Sequence, residues 1–436
     1  MLRDENIDNS SIEALLTKDP IQRNNVLNNF LRLINTIEKN SILTIDGKWG
    51  SGKTVFVRQI EYLNDPKLTK EKTFAAIEGT VVNTFQEKYA TYYYNAWEND
   101  HHGDPMQSLL LNLINDIWGP REKTADKTLQ TIGGLKDSVL KVVSQGLYDH
   151  EAIKNAKSIH GLAKSITTIE ERKKAINDII NNYLDLNNKK LLFIIDELDR
   201  CKPTFSVNLL ETLKHFFDND RIVFLLSTNN LQLAHTIEKV YGPNFDGIGY
   251  LNKFYNLIFN LSSIDIDRYI DYLRNEFSSR YHRHIAPMEV TKYLNLSIRE
   301  INRYYATLEL ASSYILSSSG FNNSLYEQLV KQVFVPLAYG LRISNLSEYY
   351  RFVEGKGEDI LNSFIESNSI ASDIIRRNEI TGSVYKPNDK VKEIYKKLFN
   401  ANGKDFELAE SADGFRRIVS LINSTGTIDE EEAKKS

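Results

Sequence analysis

Residues 47–54 read Gly47-Lys48-Trp49-Gly50-Ser51-Gly52-Lys53-Thr54. Glycines at this spacing, followed by lysine and a hydroxyl residue, suit a loop that holds a polyphosphate. The glycines open backbone angles closed to other residues. Successive N–H groups then turn inward and cradle phosphate oxygens. A helix starting at the same place adds its positive end. Lys53 is expected to reach the β- and γ-phosphates, and Thr54 to place its hydroxyl on Mg²⁺. The whole segment from Gly47 to Thr54 is therefore the expected cofactor-binding loop.

Such a loop needs a carboxylate from a neighbouring strand to hold the ion. Five apolar residues, Leu191-Leu192-Phe193-Ile194-Ile195, lead into Asp196 and Glu197. An aspartate in that position is costly to bury alone, and a magnesium site offsets the cost. Asp196 is the expected metal ligand beside Thr54. Glu197 is the candidate to orient or deprotonate an attacking water, a role that contributes about 10²–10⁴-fold. The plainer alternative makes Asp196 a helix cap and Glu197 a surface residue. Arg200 has three readings: a γ-phosphate contact, a subunit-interface residue, or an ion pair with Asp199 or a neighbour. Asn229 follows the next apolar run, where a polar side chain senses the γ-phosphate and the water. It equally suits a turn before a helix from Leu231. His101-His102 with Asp104 lacks a convincing set of metal ligands.

The elements that must position these groups are legible as hydrophobic patterns. A helical period covers 21–38, and Ile42–Ile45 reads as a buried strand ending at Asp46-Gly47. A helix follows Thr54. Further strands are expected at Ala90–Tyr94, Leu191–Ile195, Arg221–Leu226 and Leu257–Leu261. Helices are expected at Met106–Trp118 and Pro203–Phe217. Strands alternating with helices imply an α/β domain with a parallel sheet. The NTPase-like domain is expected over 1–264, with a polar helical insertion at about 120–187. A C-terminal all-helical region is expected over 265–424, with helices at 265–279, 297–317, 323–335, 388–400 and 412–423. The tail at 425–436 reads as disordered.

The bulk numbers exclude several classes. Hydrophobic residues make up 41% and charged residues 26%, a globular balance. A net charge of -4 gives no global push toward nucleic acid or an anionic membrane. The single cysteine, Cys201, rules out an internal disulfide and fits a reducing, cytoplasmic setting. No run is long and apolar enough for a membrane span, and the first residues do not read as a signal peptide.

In their order, these motifs resemble the KAP family of P-loop NTPases, relatives of the STAND and AAA+ ATPases. The resemblance spans about 15–310. It rests on Asp46 through Thr54, on Tyr94-Asn95-Ala96-Trp97, on Ile194 through Pro203 and on Tyr250-Leu251-Asn252-Lys253. The family pattern usually has Asp where Asn229 stands and Glu where Asn252 stands. Many members carry membrane helices where this chain has its polar 120–187 segment.

The resemblance implies an ASCE/AAA+-like fold and ATP as the nucleotide; no convincing guanine-reading N-K-x-D motif opposes this. It implies that Arg299 or Arg303, in Arg299-Glu300-Ile301-Asn302-Arg303, reaches the γ-phosphate; a solvated helix face is the plain alternative. Arg23 is a candidate to border the base, and Trp97 reads as a packed aromatic. The implied activity is a regulated ATP-hydrolysing switch that self-associates or meets a protein partner, in prokaryotes often in defence against phages or mobile elements. The alternatives are a non-catalytic nucleotide-binding scaffold and an ATPase acting on nucleic acid. The arginine- and tyrosine-bearing stretch 268–303 keeps the last open, diluted by its acids.

Overall fold

The structure is a computed structural model. It describes residues 8–65, 73–101, 103–118, 169–214, 219–261, 265–276, 285–317, 324–378 and 386–399, with short pieces between 415 and 423. The chain divides between 263 and 264 into two compact units. Most of the expected insertion, the tail and His102 lie outside the described residues, as does much of the helix expected at 412–423.

The first unit holds five parallel strands: β1 (Ser41–Asp46), β2 (Tyr89–Asn95), β3 (Lys190–Asp196), β4 (Ile222–Thr228) and β5 (Leu257–Asn260). Their order is β2-β3-β4-β1-β5. The expectation that Asp196 sits on a strand neighbouring β1 is thereby corrected. β4 lies between β1 and β3, so the loop and the acidic motif are two strands apart. β4 also runs two residues beyond its expected end, carrying Ser227 and Thr228 into the sheet, in register with Ile45 and Asp46.

Helices on both faces explain the apolar runs. Ile42, Leu191, Phe193, Ile195, Phe224 and Leu226 face one core. That core is closed by α5 (Pro105–Trp118), α6 (Ile169–Asn187), α7 (Pro203–Lys214) and α8 (Asn230–Tyr241). The alternate residues Leu43, Ile45, Leu192, Ile194, Val223 and Leu225 face the other core. There α1 (Asn9–Lys18), α2 (Asn24–Asn35), α3 (Lys53–Leu63) and α4 (Gly79–Lys88) cover them. A strand buried on both faces cannot alternate apolar with polar, and hence the continuous runs. Phe30, Phe56 and Phe259 pack edge-on and stacked, with ring centres 4.8–6.3 Å apart. They lock α3, and with it the end of the glycine loop, onto β5 and α2.

The short α9 (Gly247–Asn252) packs against α8. The contact is possible because Gly247 has no side chain: a β-carbon there would stand 2.4 Å from the Ala234 carbonyl oxygen.

The second unit is helical throughout its described residues. It contains α10 (Ile266–Glu276), α11 (Ile285–Tyr293), α12 (Ile298–Ser317) and α13 (Leu325–Leu329), then α14 (Val335–Ser344) and α15 (Leu346–Val353). α16 (Glu358–Ser367), α17 (Ile370–Asn378) and α18 (Pro387–Phe399) complete it. Ser297 and Glu300 form a reciprocal cap on α12: the Ser297 N–H donates to Glu300 Oε2 at 2.7 Å, and the Glu300 N–H to Ser297 Oγ at 3.4 Å. The helix expected at 323–335 runs on to Ser344 through a π turn at Val330–Phe334. Pro336 supplies no N–H and crowds the preceding turn, and the Val335 N–H bonds back to Val330. This widened turn presents Phe334 to Phe352 and Tyr395, with ring centres 6.5 and 5.7 Å away.

Gly247→Ala is expected to lower stability by about 1–3 kcal/mol through overpacking against α8. Gly79→Ala is the control, since a β-carbon there meets nothing within 4 Å. Urea melts of the two variants measure the contrast.

Candidate functional site

β1 delivers the chain to the glycine loop at the carboxyl end of the sheet. Gly50 and Gly52 take φ of +75° and +83°, which side chains with a β-carbon disfavour. At Gly47 a β-carbon would lie 2.7 Å from Ser51 Oγ, so the loop closes tightly on itself. α3 then starts at Lys53. The Lys53 ammonium donates to the Gly47 carbonyl at 2.7 Å and the Lys48 carbonyl at 3.3 Å. Burial lowers its pKa, while Asp199, Asp196 and Asp46 pull the other way.

Arg23 stands just ahead of α2 and is nearly fully buried. Its guanidinium donates to the Ser51 carbonyl at 2.7 Å, and burial lowers its pKa to about 10. It ties the loop to the start of α2.

Asp196 ends β3 and is only 1% exposed. Its Oδ1 accepts the Glu197 N–H at 2.9 Å, and its Oδ2 accepts the Tyr93 hydroxyl at 3.1 Å. Burial raises its pKa, opposed by the nearby hydroxyls of Ser227, Thr54 and Tyr93. Ser227 is close enough to favour the carboxylate, although its Oγ makes no hydrogen bond within normal geometry. The loop and the acidic motif thus converge although β4 separates β1 from β3: Thr54, at the start of α3, lies beside Asp196 at the end of β3.

Glu197 turns the chain out of β3 with φ +61°, a left-handed backbone rare for residues other than glycine. One turn of 3-10 helix, Leu198–Arg200, follows. Burial raises the Glu197 pKa, and the adjacent Arg200 lowers it. Arg200 Nη1 lies 2.9 Å from Glu197 Oε1. Of the readings open for Arg200, the structure contains the ion pair, and the partner is Glu197 rather than Asp199. Asp199 instead accepts the Trp49 indole N–H at 2.5 Å, which ties the glycine loop to the 3-10 turn.

Trp97 corrects an expectation. It is 49% exposed rather than packed, and the Arg200 guanidinium lies over its ring, 5.4 Å from the centre. A tryptophan face is a favourable platform for arginine, and the Trp97 backbone N–H donates to Asn95 Oδ1 at 3.0 Å. Asn229 also has a definite local task. Its side chain caps α8, accepting the Gln232 N–H at 3.3 Å. Next to it, Asn230 is buried, its N–H donating to Asp46 Oδ1 at 2.9 Å and its Oδ1 accepting from Thr228 at 2.7 Å and Tyr255 at 3.2 Å. Arg299 and Arg303 belong to α12 of the second unit, one helical turn apart.

Several residues of the site escaped the sequence reading. Asn95 ends β2 in register with Asp196 and directs its amide toward Glu197 Oε2 at 3.5 Å. Tyr93, Arg58 and Ser227 border Asp196. The available signal was a polar residue at the last position of a buried strand, present at Asn95 and at Ser227-Thr228 alike.

Away from these groups, a shallow polar hollow of about 560 Å³ is lined by Asn25, Asn28, Arg32 and Glu78 among others. Its polar groups largely satisfy one another: Asn28 and Glu78 exchange hydrogen bonds, and Arg32 pairs with Glu78. Among the described residues no group of three or more His, Cys, Asp or Glu is arranged to hold a metal ion. Nor is any described helix long and apolar enough to cross a membrane.

The model of the KAP family P-loop domain matches residues 23–315. No curated protein matches the chain. Among solved structures, the chain is similar to cbiO1 from Clostridium perfringens, part of the ABC transporter complex cbiONQ. The identity is 12% over 46% of this chain and 72% of that one, with a TM-score of 0.21, too low to carry an argument. The family match covers more than half of the 436 residues and contains the glycine loop, the acidic motif and all five strands: the chain belongs to the KAP family of P-loop NTPases.

Proposed function

We propose that the domain binds ATP with Mg²⁺ and hydrolyses it, and that the cycle works as a regulated switch. The observation that carries this reading is the convergence of Lys53, Thr54, Asp196 and Glu197 at the carboxyl end of the sheet. Asp196 is buried there beside the Thr54 hydroxyl. A lone buried carboxylate with a hydroxyl neighbour fits magnesium, which takes hard oxygens, keeps several waters and asks for few protein ligands. Thr54 and Asp196 would hold the ion, which would offset the negative charge that develops on the phosphates.

The remaining work falls to the chain. The loop amides grip the phosphates, and Lys53 exchanges its loop carbonyls for β- and γ-phosphate oxygens. Glu197 accepts the proton of the attacking water or orients it. Burial favours this by raising its basicity, while Arg200 restrains it. Asn229 and Arg200 stay candidates for the γ-phosphate, each requiring release from its present partner. Arg299 and Arg303 stay candidate arginines on the helical unit. ATP is favoured over GTP by the family and by the absence of a guanine-reading motif. A part in defence against phages or mobile elements rests on the family resemblance alone.

Lys53→Ala is expected to lose tight ATP binding, read by titration with a fluorescent ATP analogue; unchanged affinity removes the loop from the reading. Glu197→Gln is expected to keep ATP and turn it over at least ~100-fold more slowly, measured as phosphate release. Normal turnover would assign the water to another group. Sizing the same variant with and without ATP and Mg²⁺ tests the switch: a nucleotide-dependent change in assembly or compactness is expected, and identical profiles count against it.

A further inference from the structure

Tyr93 lies outside every motif considered above, yet its hydroxyl meets the carboxylate on which the magnesium reading depends. In the β2–β3 pair Tyr93 stands opposite Ile194, and Asn95 opposite Asp196. Side chains two positions apart share a face of the sheet. Tyr93 and Asp196 therefore face the same side, toward α3, as diagonal neighbours. The phenol spans the diagonal and donates to Asp196 Oδ2 at 3.1 Å.

The ring is held from its other side. Arg58 lies one helical turn beyond Thr54 on α3, and its guanidinium carbon stands 3.3 Å from the centre of the Tyr93 ring. Arg58 is itself fixed by Glu61, with Nη1 2.7 Å from Oε2. One helix thus carries both Thr54 and the brace for the tyrosine that holds Asp196. Two of the oxygens assigned to the ion are connected through Arg58 and Tyr93, independently of the β4 strand that separates β1 from β3.

We propose that Tyr93 is a positioning residue for magnesium: its hydroxyl, braced by Arg58, fixes the Asp196 carboxylate in the orientation the ion requires. The inference rests on the reading of Asp196 as a magnesium ligand. Oδ1 is held by the Glu197 N–H and Oδ2 by Tyr93, so the carboxylate cannot rotate freely. Partners that orient a metal ligand typically contribute about 10–100-fold to metal affinity. A tyrosine that merely satisfied a buried carboxylate would leave magnesium affinity unchanged when replaced.

The test compares Tyr93→Phe, Arg58→Leu and Asp196→Asn with the unaltered full chain. A fluorescent ATP analogue is bound first in EDTA, then under titration with Mg²⁺. Tyr93→Phe keeps the ring and removes one oxygen. Its metal-free nucleotide affinity is expected to stay within about twofold of the original, while the Mg²⁺ midpoint rises about tenfold or more. Arg58→Leu leaves the phenol in place and removes its brace, so a smaller rise in the same midpoint is expected. An unchanged midpoint in Tyr93→Phe, alongside a lost magnesium response in Asp196→Asn, overturns the role of Tyr93 alone. Unchanged midpoints in both overturn the magnesium reading as well. Equal losses of metal-free and magnesium-dependent binding in Tyr93→Phe also overturn the proposal, since they mark a general structural effect.

Discussion

The site depends on keeping one carboxylate, Asp196, out of water. A charged group that is 1% exposed is costly unless hydrogen bonds or a cation compensate. Three strands and one helix supply that compensation. β3 turns its next N–H back onto Oδ1, β2 brings the Tyr93 hydroxyl to Oδ2, and β4 and α3 place Ser227 and Thr54 alongside. Burial still raises the pKa, so these donors offset the desolvation only in part. A divalent cation at the same place would complete the compensation. The residues that hold the carboxylate are also those that direct it toward the loop.

The two-faced sheet separates two kinds of polar chemistry. On the α3 side, Asp196 and Tyr93 meet Thr54 and Arg58. On the opposite face, Thr44 and Thr228 are buried and converge on Asn230 with Tyr255. That second network also reaches Asp46 through the Asn230 N–H, and so fixes the residue immediately before the glycine loop. β1 is thereby anchored on that face at the point where the chain must leave it. Buried polar groups that are mutually satisfied make a position rigid, and the start of a phosphate loop is where rigidity is useful.

Much of this was legible in the sequence because it is local. The loop announces itself by glycine spacing, since Gly50 and Gly52 adopt angles that other residues resist. The buried strands announce themselves as continuous apolar runs, because helices cover both faces. Strand order is different. Parallel partners are chosen by packing across long connections, and no period in the sequence states that β4 lies between β1 and β3. Of the partners of Arg200, the ion pair with a near neighbour was open to the sequence, since Glu197 stands three residues back, but Trp97 arrives from beyond the end of another strand. Tyr93 looked like one more aromatic in a tyrosine-rich strand. Its distinction lies in register, which places it diagonally from Asp196 and on the same face.

Arg200 shows how a single side chain links these levels. A guanidinium can pair with a carboxylate and lie over an aromatic ring at once, and here it is 2.9 Å from Glu197 Oε1 and 5.4 Å from the Trp97 ring centre. Glu197 itself sits in a left-handed backbone conformation that costs on the order of 1–3 kcal/mol. The 3-10 turn that follows and the ion pair to Arg200 oppose that cost. The basicity of Glu197 is then a balance: burial pushes it up, and the nearby guanidinium pulls it down. Trp97, half-exposed, has the same guanidinium over its ring. In the proposed ATPase, the strength of the water-activating base is thus set by the burial of its own turn and by the guanidinium three residues on.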